Sequence, residues 1–285
     1  MLKVLRNVFD AHSHIGPMAP WKYYDLEEAV NPTVLEYPDT ESYLAHMDKY
    51  GIKKALVCPN YGIPVHEQPF SLNPLVIEAV KKSDRIVGGI WVSNVPRNKE
   101  LTRAALKFAG EPGIACLKMT YLLGGNPDPD KYDAEAEELM EEIVSTCEKY
   151  DLTLQTHSSS GGNSDISNYY KFVEKYGKRI RLHIIHLGGG VSGHIKMVPK
   201  FINWVKEGYQ VYTDGCWAVG FGVRFLLDEI AKAGVGEDRI LWGSDEPWSD
   251  LPSEYWKWEG ADISDEFKNK IFWENAERVY GSKKK

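Results

Sequence analysis

Short apolar runs alternate with longer amphipathic segments along the whole chain. Eight runs rich in Val, Ile, Leu and aromatic residues are bounded by Gly, Asn, Pro or Asp, a pattern typical of β-strands. They predict strands at Val8–His14, Lys54–Pro59, Ile86–Val92, Ile114–Thr120, Leu152–His157, Ile180–His186, Tyr209–Asp214 and Arg239–Ser244. Between these runs, apolar residues recur every three or four positions, which indicates helices. The clearest helical patterns cover Glu41–Tyr50, Ala134–Tyr150, Phe221–Ala233 and Glu266–Tyr280.

The order of these elements restricts the fold to two classes. Eight strand–helix units predict parallel strands, arranged either as a closed barrel or as a large doubly wound sheet. The chain has 285 residues, and (β/α)8 barrels use about 250 residues in one domain. No glycine-rich nucleotide-binding motif follows the first strand, which weakens the doubly wound alternative. We therefore predict a single (β/α)8 TIM barrel with parallel strands and a C-terminal helix, spanning residues 1–285 as one domain.

Composition and charge exclude several classes of function. The formal charge is −7 and no basic run is longer than the terminal lysines, which argues against a nucleic-acid partner. No apolar run approaches the roughly 20 residues that a membrane span needs. The four cysteines are scattered without a CxxC pair, which favours a reducing compartment over a disulfide framework. We therefore expect a cytoplasmic protein that acts on a small molecule.

Histidines and a carboxylate lie at the ends of the predicted strands. His12 and His14 are two positions apart in the first strand, so their side chains point the same way. His157 and His186 end two further strands, and Asp245 follows the last. Each residue alone is most simply a polar group at the barrel rim. Together they converge on the end where barrels build active sites, and they are ligand types that Zn²⁺ and similar ions prefer.

The order of these motifs resembles the amidohydrolase superfamily, specifically its amidohydrolase-2 branch. The resemblance rests on HSH, QTH, IIHLGGG and WGSDEP at residues 12–14, 155–157, 184–190 and 242–247. It extends over nearly the whole chain, since IFWENAERVYG at residues 271–281 is similar to the C-terminal helix of that branch. The resemblance implies that one divalent metal ion, zinc or alternatively manganese, is held by His12, His14, His157 and Asp245.

The same resemblance implies catalytic roles and a choice of reactions. His186 would lie beside the metal and act on the substrate, and Asp245 would exchange a proton with a metal-activated water. The leading expectation is hydrolysis of an amide, lactone or similar carbonyl bond in a small substrate. Because the branch also contains decarboxylases, non-oxidative decarboxylation of a small carboxylic acid is an alternative, and a metal-binding barrel without turnover is another. Members often form homodimers, which we expect here as well.

Two further residues are expected to contact the substrate. In binuclear members of the superfamily a lysine on the fourth strand, here Lys118, is carboxylated and bridges two metals. We expect one metal instead, with Lys118 paired with a substrate carboxylate or with a neighbouring acid. Trp217 follows the seventh strand and would stack on the substrate or close the core. Asp214, at the end of that strand, would orient a metal ligand or cap a turn.

The remaining candidates receive structural roles. His183 has the opposite strand parity to His186, so we expect it to face the helix layer. His46 and His194 are expected at the surface or as helix caps. The long loop Gly16–Asp39 is expected either to wall a pocket or to pack over the barrel mouth. Several aromatic residues fall in this and other predicted top-face loops: Trp21, Tyr23, Tyr24, Tyr37, Tyr61, Tyr121 and Trp248.

Overall fold

The fold is a parallel barrel of eight strands. In a computed structural model, which describes residues 3–17, 37–60, 68–122 and 124–281, the strands pair in the order β1 to β8, each parallel to its neighbours. They span Phe9–Ile15 (β1), Lys54–Pro59 (β2), Ile86–Trp91 (β3), Ile114–Met119 (β4), Thr153–Thr156 (β5), Arg181–Ile184 (β6), Val211–Asp214 (β7) and Ile240–Leu241 (β8). The predicted (β/α)8 TIM barrel with a C-terminal helix is confirmed.

The barrel closes where β1 meets the segment that follows β8. The Ala11 N–H donates to the Trp242 carbonyl at 2.8 Å, and the Asp245 N–H donates to the His12 carbonyl at 2.7 Å. The last strand was predicted to continue to Ser244, but β8 ends earlier, because the Trp242 N–H donates to the Ile271 carbonyl in the C-terminal segment. The backbone after β8 therefore bonds to β1 and to the C-terminal helices.

Helices surround the barrel. They are Thr40–Tyr50 (α1), Gln68–Ser71 (α2), Asn73–Lys82 (α3), Lys99–Leu106 (α4), Ala134–Tyr150 (α5), Tyr170–Tyr176 (α6), Gly190–Lys206 (α7), Gly222–Ala233 (α8), Leu251–Glu259 (α9), Asp265–Asn269 (α10) and Asn275–Tyr280 (α11). α5 has the predicted bounds. The predicted helix Glu266–Tyr280 is interrupted by a π-helical turn at Lys270–Glu274, where the Ile271 carbonyl bonds outside the helix. Of the helices in the described ranges, none has the length and apolarity to cross a membrane.

Two buried apolar clusters form the core. The larger one lies between the barrel and its helices, and α5 contributes Ile143 and Cys147 to it at the predicted four-residue spacing. The smaller cluster fills the barrel interior, where Phe9 and Leu56 meet Tyr280 of α11. The C-terminal helix therefore plugs the end of the barrel at which the strands begin, and the opposite end is left to polar residues.

β6 ends earlier than predicted, and this changes the position of His183. The strand stops at Ile184, because Ile185–Gly188 form a tight turn in which His186 has a φ of 69°. Side-chain alternation therefore does not extend to His186, and the parity argument fails. The expectation that His183 faces the helix layer is wrong: its ring lies inside the barrel, with Nδ1 2.8 Å from the Tyr280 hydroxyl.

His46 and His194 are buried, so the expectation that they lie at the surface is also wrong. The His46 Nδ1 lies 2.7 Å from the Tyr37 hydroxyl. The His194 Nδ1–H donates to the Leu187 carbonyl at 2.8 Å, and its Nε2 accepts from the Val219 N–H at 3.2 Å. His194 thus joins the loops that follow β6 and β7.

Gly193, in the first turn of α7, is required by a close approach of the chain to itself. A Cβ at this position would lie 1.8 Å from the Gly188 carbonyl oxygen, a backbone atom that cannot rotate away. Replacing Gly193 by alanine is expected to lower the free energy of unfolding by about 3 kcal/mol, measured by urea denaturation. The control is Gly161→Ala, where a Cβ meets nothing within 4 Å. Equal stability of the two variants would contradict this packing.

Candidate metal centre and active-site pocket

A pocket of about 440 Å³ lies at the carboxyl ends of the strands. Every residue predicted for the site lines it: His12, His14, Lys118, His157, His186, Trp217 and Asp245. Loop residues complete the walls: Ser158, Ser159, Ser160, Ile185, Gly189, Gly190, Val219 and Trp248. The structure therefore brings the predicted set together at the end of the barrel where enzymes of this fold carry their active sites.

An irregularity in β1 aims two histidines into this pocket. Phe9 and Ala11 point into the barrel interior. The pairing with β2 then shifts by one residue between positions 10 and 13. An extra residue reverses the parity of the positions that follow, so His12 and His14 both face the pocket. Simple alternation along the predicted strand gives the same shared face but does not reveal the shift.

The buried carboxylate of Asp10 holds this irregular segment in place. It accepts hydrogen bonds from the His12 N–H at 3.1 Å and from the Ser244 N–H at 3.0 Å. Burial raises the pKa of Asp10 to about 7, against the opposing effect of these hydrogen bonds. Asp10 therefore ties the first strand to the segment after the last one, directly below the pocket.

The ring of His14 faces more hydrogen-bond acceptors than it has protons. Its Nδ1 lies 3.2 Å from the Pro59 carbonyl oxygen, and its Nε2 lies 3.0 Å from Asp245 Oδ1. Burial lowers the pKa of His14, so the ring is neutral at pH 7. Because a neutral imidazole carries a single N–H, one of these contacts joins two lone pairs. A cation between Nε2 and Asp245 would satisfy both atoms.

The ring of His12 also has an acceptor facing each of its two nitrogens, and here both nitrogens carry a proton. Its Nδ1 lies 3.2 Å from Asp214 Oδ2, and its Nε2 lies 3.1 Å from Asp245 Oδ1. Burial and the Lys118 ammonium disfavour a charged ring, but Asp245 and Asp214 outweigh them and raise the pKa of His12 to about 9. Both nitrogens are therefore protonated at neutral pH, and the Nε2 proton occupies the position that a metal ion would take.

The donor set at this point fits a divalent ion. One ligand atom each from His12, His14 and Asp245 lies within 4.8 Å of the others. Although burial favours protonation, His12 and His14 hold the pKa of Asp245 well below its usual range, so the carboxylate is ionised. Two imidazole nitrogens and a carboxylate oxygen are suitable ligands for zinc and for similar divalent ions.

His157 lines the same pocket and contacts His186. The His186 Nδ1 lies 3.3 Å from the Cys216 carbonyl, which can only accept, so the proton of this ring is on Nδ1. The His186 Nε2 then accepts from the His157 Nδ1–H at 3.1 Å. Burial lowers the pKa of His186 to about 4 and the pKa of His157 well below its usual value. His157 is therefore neutral, with a proton-free Nε2 as its ligand atom.

A second cluster of ligand-type groups lies below the first. Atoms of His12, His186, Asp214 and Cys216 also lie within 4.8 Å of one another. Here, however, donors meet acceptors: the His12 Nδ1–H faces the Asp214 carboxylate, and the Cys216 thiol donates to Asp214 Oδ1 at 2.9 Å. The upper cluster is the candidate metal centre, because His12, His14 and Asp245 all line the pocket, whereas Asp214 and Cys216 of the lower cluster do not.

Lys118 is buried at the floor of the pocket. Its Nζ donates to Gln155 Oε1 at 2.8 Å and lies 3.2 Å from His12 Nε2. Gln155 is held in this orientation because its amide nitrogen donates to the Ala11 carbonyl at 3.0 Å. Within the described ranges, no carboxylate forms an ion pair with Lys118, so pairing with a neighbouring acid is not found there. Pairing with a substrate carboxylate stays a prediction.

Trp217 forms one wall of the pocket and holds Asp245. Its indole N–H donates to Asp245 Oδ2 at 2.5 Å, and the side chain is 48% exposed. The residue has a φ of 60°, and its backbone N–H donates to the buried Glu254 at 3.3 Å. Trp217 therefore occupies one oxygen of Asp245 and leaves Oδ1 facing the histidines of β1.

Several residues of the site were missed from the sequence. Asp10 and Gln155 lie within predicted strands, where a polar residue in an otherwise apolar run is the signal that could have identified them. Ser158–Ser160 directly follow the QTH motif and line the pocket. Of the loop aromatics, Trp248 lines the pocket, and Tyr37 and Tyr121 are buried elsewhere. The others lie outside the described residues: Trp21, Tyr23, Tyr24 and Tyr61.

A comparison with protein families finds one match over nearly the whole chain. The model of a family described as amidohydrolase matches residues 9–282. No curated protein matches the chain. The fold recurs in solved structures that are too distant in sequence to show more than the fold.

Three of these structures illustrate the likeness. A protein described as a probable 2-pyrone-4,6-dicarboxylic acid hydrolase from Acinetobacter baumannii, with citric acid bound, is 14% identical with a TM-score of 0.64, covering 97% of this chain and 100% of its own. A 2,6-dihydroxybenzoate decarboxylase from Rhizobium is 15% identical with a TM-score of 0.67, covering 97% and 99%. A 5-carboxyvanillate decarboxylase from Novosphingobium aromaticivorans, complexed with manganese, is 18% identical with a TM-score of 0.67, covering 97% and 96%.

Proposed function

Since the chain belongs to the amidohydrolase-2 branch of the amidohydrolase superfamily, we propose that it is a metal-dependent hydrolase of a small substrate with an amide, lactone or similar carbonyl bond. The observation that carries this proposal is the convergence of two imidazole nitrogens on one carboxylate oxygen: His12 Nε2 and His14 Nε2 lie 3.1 Å and 3.0 Å from Asp245 Oδ1. The other groups around this contact supply the remaining requirements of a hydrolytic site.

One divalent ion would be held by His12, His14, His157 and Asp245. When bound, such an ion polarises a carbonyl oxygen and lowers the pKa of a coordinated water toward 7. Zinc is the ion we propose, because nitrogen ligands dominate the set. Manganese is the alternative, and it is named for the carboxyvanillate decarboxylase that is similar in fold. Lys118 remains an ammonium in this proposal and does not bridge a second ion.

The pocket at neutral pH is rich in proton acceptors, which favours hydrolysis. Asp245 is ionised, and His157 and His186 are neutral because burial lowers their pKa values. Asp245 is the carboxylate that would accept the proton of the attacking water, and the Trp217 indole N–H holds its Oδ2 in place. His186 is expected from the sequence to act on the substrate, but both of its ring nitrogens are engaged by protein groups, so we propose that it orients His157 instead.

Decarboxylation is the second candidate function, and two features favour it. Lys118 places a buried ammonium at the pocket floor without a carboxylate partner among the described residues. The pocket walls include the indoles of Trp217 and Trp248, which suit a planar apolar body. Two of the proteins with a similar fold are named as decarboxylases of aromatic acids. In this case Lys118 would hold the carboxylate that is released.

The two functions are separated by their products. Two preparations, one loaded with zinc and one with manganese, are each incubated in ¹⁸O-labelled water with a panel of lactones, amides and aromatic carboxylic acids. Hydrolysis is expected, so one ¹⁸O atom enters the product in each turnover and no carbon dioxide forms. Release of carbon dioxide without ¹⁸O in the organic product would replace hydrolysis by decarboxylation. Asp245→Asn protein serves as the control for turnover that does not depend on the site.

A further inference from the structure

We infer that Asp214 is a positioning residue, which fixes the ring of His12 and the backbone of His186 for the proposed metal centre. Asp214 ends β7 and is fully buried below the pocket, whose lining does not include it. It touches the site only through other residues. Its two carboxylate oxygens contact different groups.

Oδ1 holds the turn that follows β6. It accepts the His186 backbone N–H at 2.9 Å and the Cys216 thiol at 2.9 Å. His186 has a φ of 69°, a strained region that non-glycine residues adopt only where surrounding contacts hold them. The hydrogen bond to Asp214 helps to maintain this backbone, and the backbone in turn places the His186 ring against His157.

Oδ2 faces two imidazole rings. It lies 3.2 Å from His12 Nδ1 and 3.1 Å from His183 Nε2. On the other side of the His183 ring, Nδ1 lies 3.0 Å from the amide nitrogen of Gln155 and 2.8 Å from the Tyr280 hydroxyl. Since Nδ1 accepts there, the His183 proton is on Nε2 and points to Asp214. Both rings therefore lie at ion-pair distance from Oδ2, although neither contact has hydrogen-bond geometry, and His12 Nδ1 also lies 3.2 Å from the Cys216 sulfur.

This arrangement determines which nitrogen of His12 can bind a metal. The charge of Asp214 and the Cys216 sulfur both favour a proton on His12 Nδ1, which leaves Nε2, on the pocket side, as the ligand atom of the ring. Carboxylate partners of this kind fix the tautomer of a ligating histidine, and losing one typically costs 10–100-fold in metal affinity. The consequence for affinity rests on the proposed metal centre, whereas the position of the proton does not.

Asp214→Asn tests this role with almost no change in size. The backbone N–H of His186 needs an acceptor, so the amide oxygen is expected to stay at the Oδ1 position. The amide N–H₂ then replaces Oδ2 and points donors at His12 and His183. His12 can no longer keep its proton on Nδ1, and the ring retains only the proton on Nε2, at the position where the metal would bind.

Two measurements follow this change: ¹⁵N–¹H NMR of ring-labelled histidine, with the His12 signals assigned by His12→Gln, and calorimetric titration with zinc. In the wild type we expect a proton on His12 Nδ1 in both the metal-free and the zinc-loaded protein. In Asp214→Asn we expect that proton to be lost and the zinc Kd to rise by about 10–100-fold. Asp48→Asn, the same change in an exposed ion pair on α1, is expected to alter neither.

The outcomes distinguish this inference from the proposed function. A wild-type His12 ring without a proton on Nδ1 would overturn the positioning role, and this result does not depend on the variant being folded. So would an Asp214→Asn protein that keeps both the proton and the zinc affinity. If the variant loses the His12 Nδ1 proton but the wild type binds no zinc, the positioning role stands and the proposed metal-dependent hydrolase is wrong.

Discussion

Replacing Asp245 by asparagine is expected to remove the divalent ion from the pocket and to lower kcat/KM by about 1,000-fold, or about 4 kcal/mol of transition-state stabilisation. The variant loses the only carboxylate among the proposed ligands. The indole N–H of Trp217 needs an acceptor at the Oδ2 position, so the amide oxygen is expected to stay there. The amide nitrogen then takes the place of Oδ1 and turns its protons toward His12 and His14.

Metal content by elemental analysis and the turnover of a substrate from the ¹⁸O experiment measure this effect. Asp250→Asn is the matched control, because Asp250 is exposed and caps α9 through the Ser253 N–H. Asparagine caps helices about as well as aspartate, so metal content and turnover should stay at the wild-type level. An Asp245→Asn protein that still binds one ion per chain would show that the site lies elsewhere.

The affinity for a divalent ion is expected to rise about tenfold for each pH unit between about pH 6 and pH 8. Asp245 and Asp214 raise the pKa of His12 to about 9, against burial and Lys118. Below that pH the Nε2 proton is present and must leave before a metal binds, so acid weakens binding. His14 and His157 add no slope in this range, because burial lowers their pKa values.

Calorimetric titrations with zinc in two buffers of different ionisation enthalpy measure this linkage. The difference in heat gives the number of protons released, and we expect about one proton for each ion bound at neutral pH. An affinity that is independent of pH, with no proton released, would mean that His12 is not displaced by the metal. The change in metal affinity per pH unit also gives the number of ligands that lose a proton when the metal binds.

The barrel could be predicted from the sequence because its signal repeats. Eight apolar runs with helical segments between them leave few alternatives, and strand β2 and helix α5 have the predicted bounds. The errors fall where the backbone leaves its regular path. β6 ends before His186 because the next residues adopt left-handed dihedral angles, which no periodicity reports. His183 was misplaced for that reason.

In the candidate site, too, some features can be predicted from the sequence and others appear only in the folded chain. His12, His14, His157 and Asp245 could be identified because their positions at strand ends and their order along the chain are sequence properties. The contacts of Asp214 with His12 and His183 join three different strands, so they depend on the closed barrel. The tautomers depend in turn on those contacts, and no spacing along the chain encodes them.

In the proposed function, one divalent ion binds between His12, His14, His157 and Asp245. The most direct test is a crystal structure of the manganese-soaked protein with anomalous diffraction measured near the manganese absorption edge. We expect one anomalous peak in the pocket, about 2.0–2.3 Å from His12 Nε2, His14 Nε2 and Asp245 Oδ1. A pocket without a peak, or a peak among Asp214, Cys216 and the Nδ1 atoms below it, would contradict the claim.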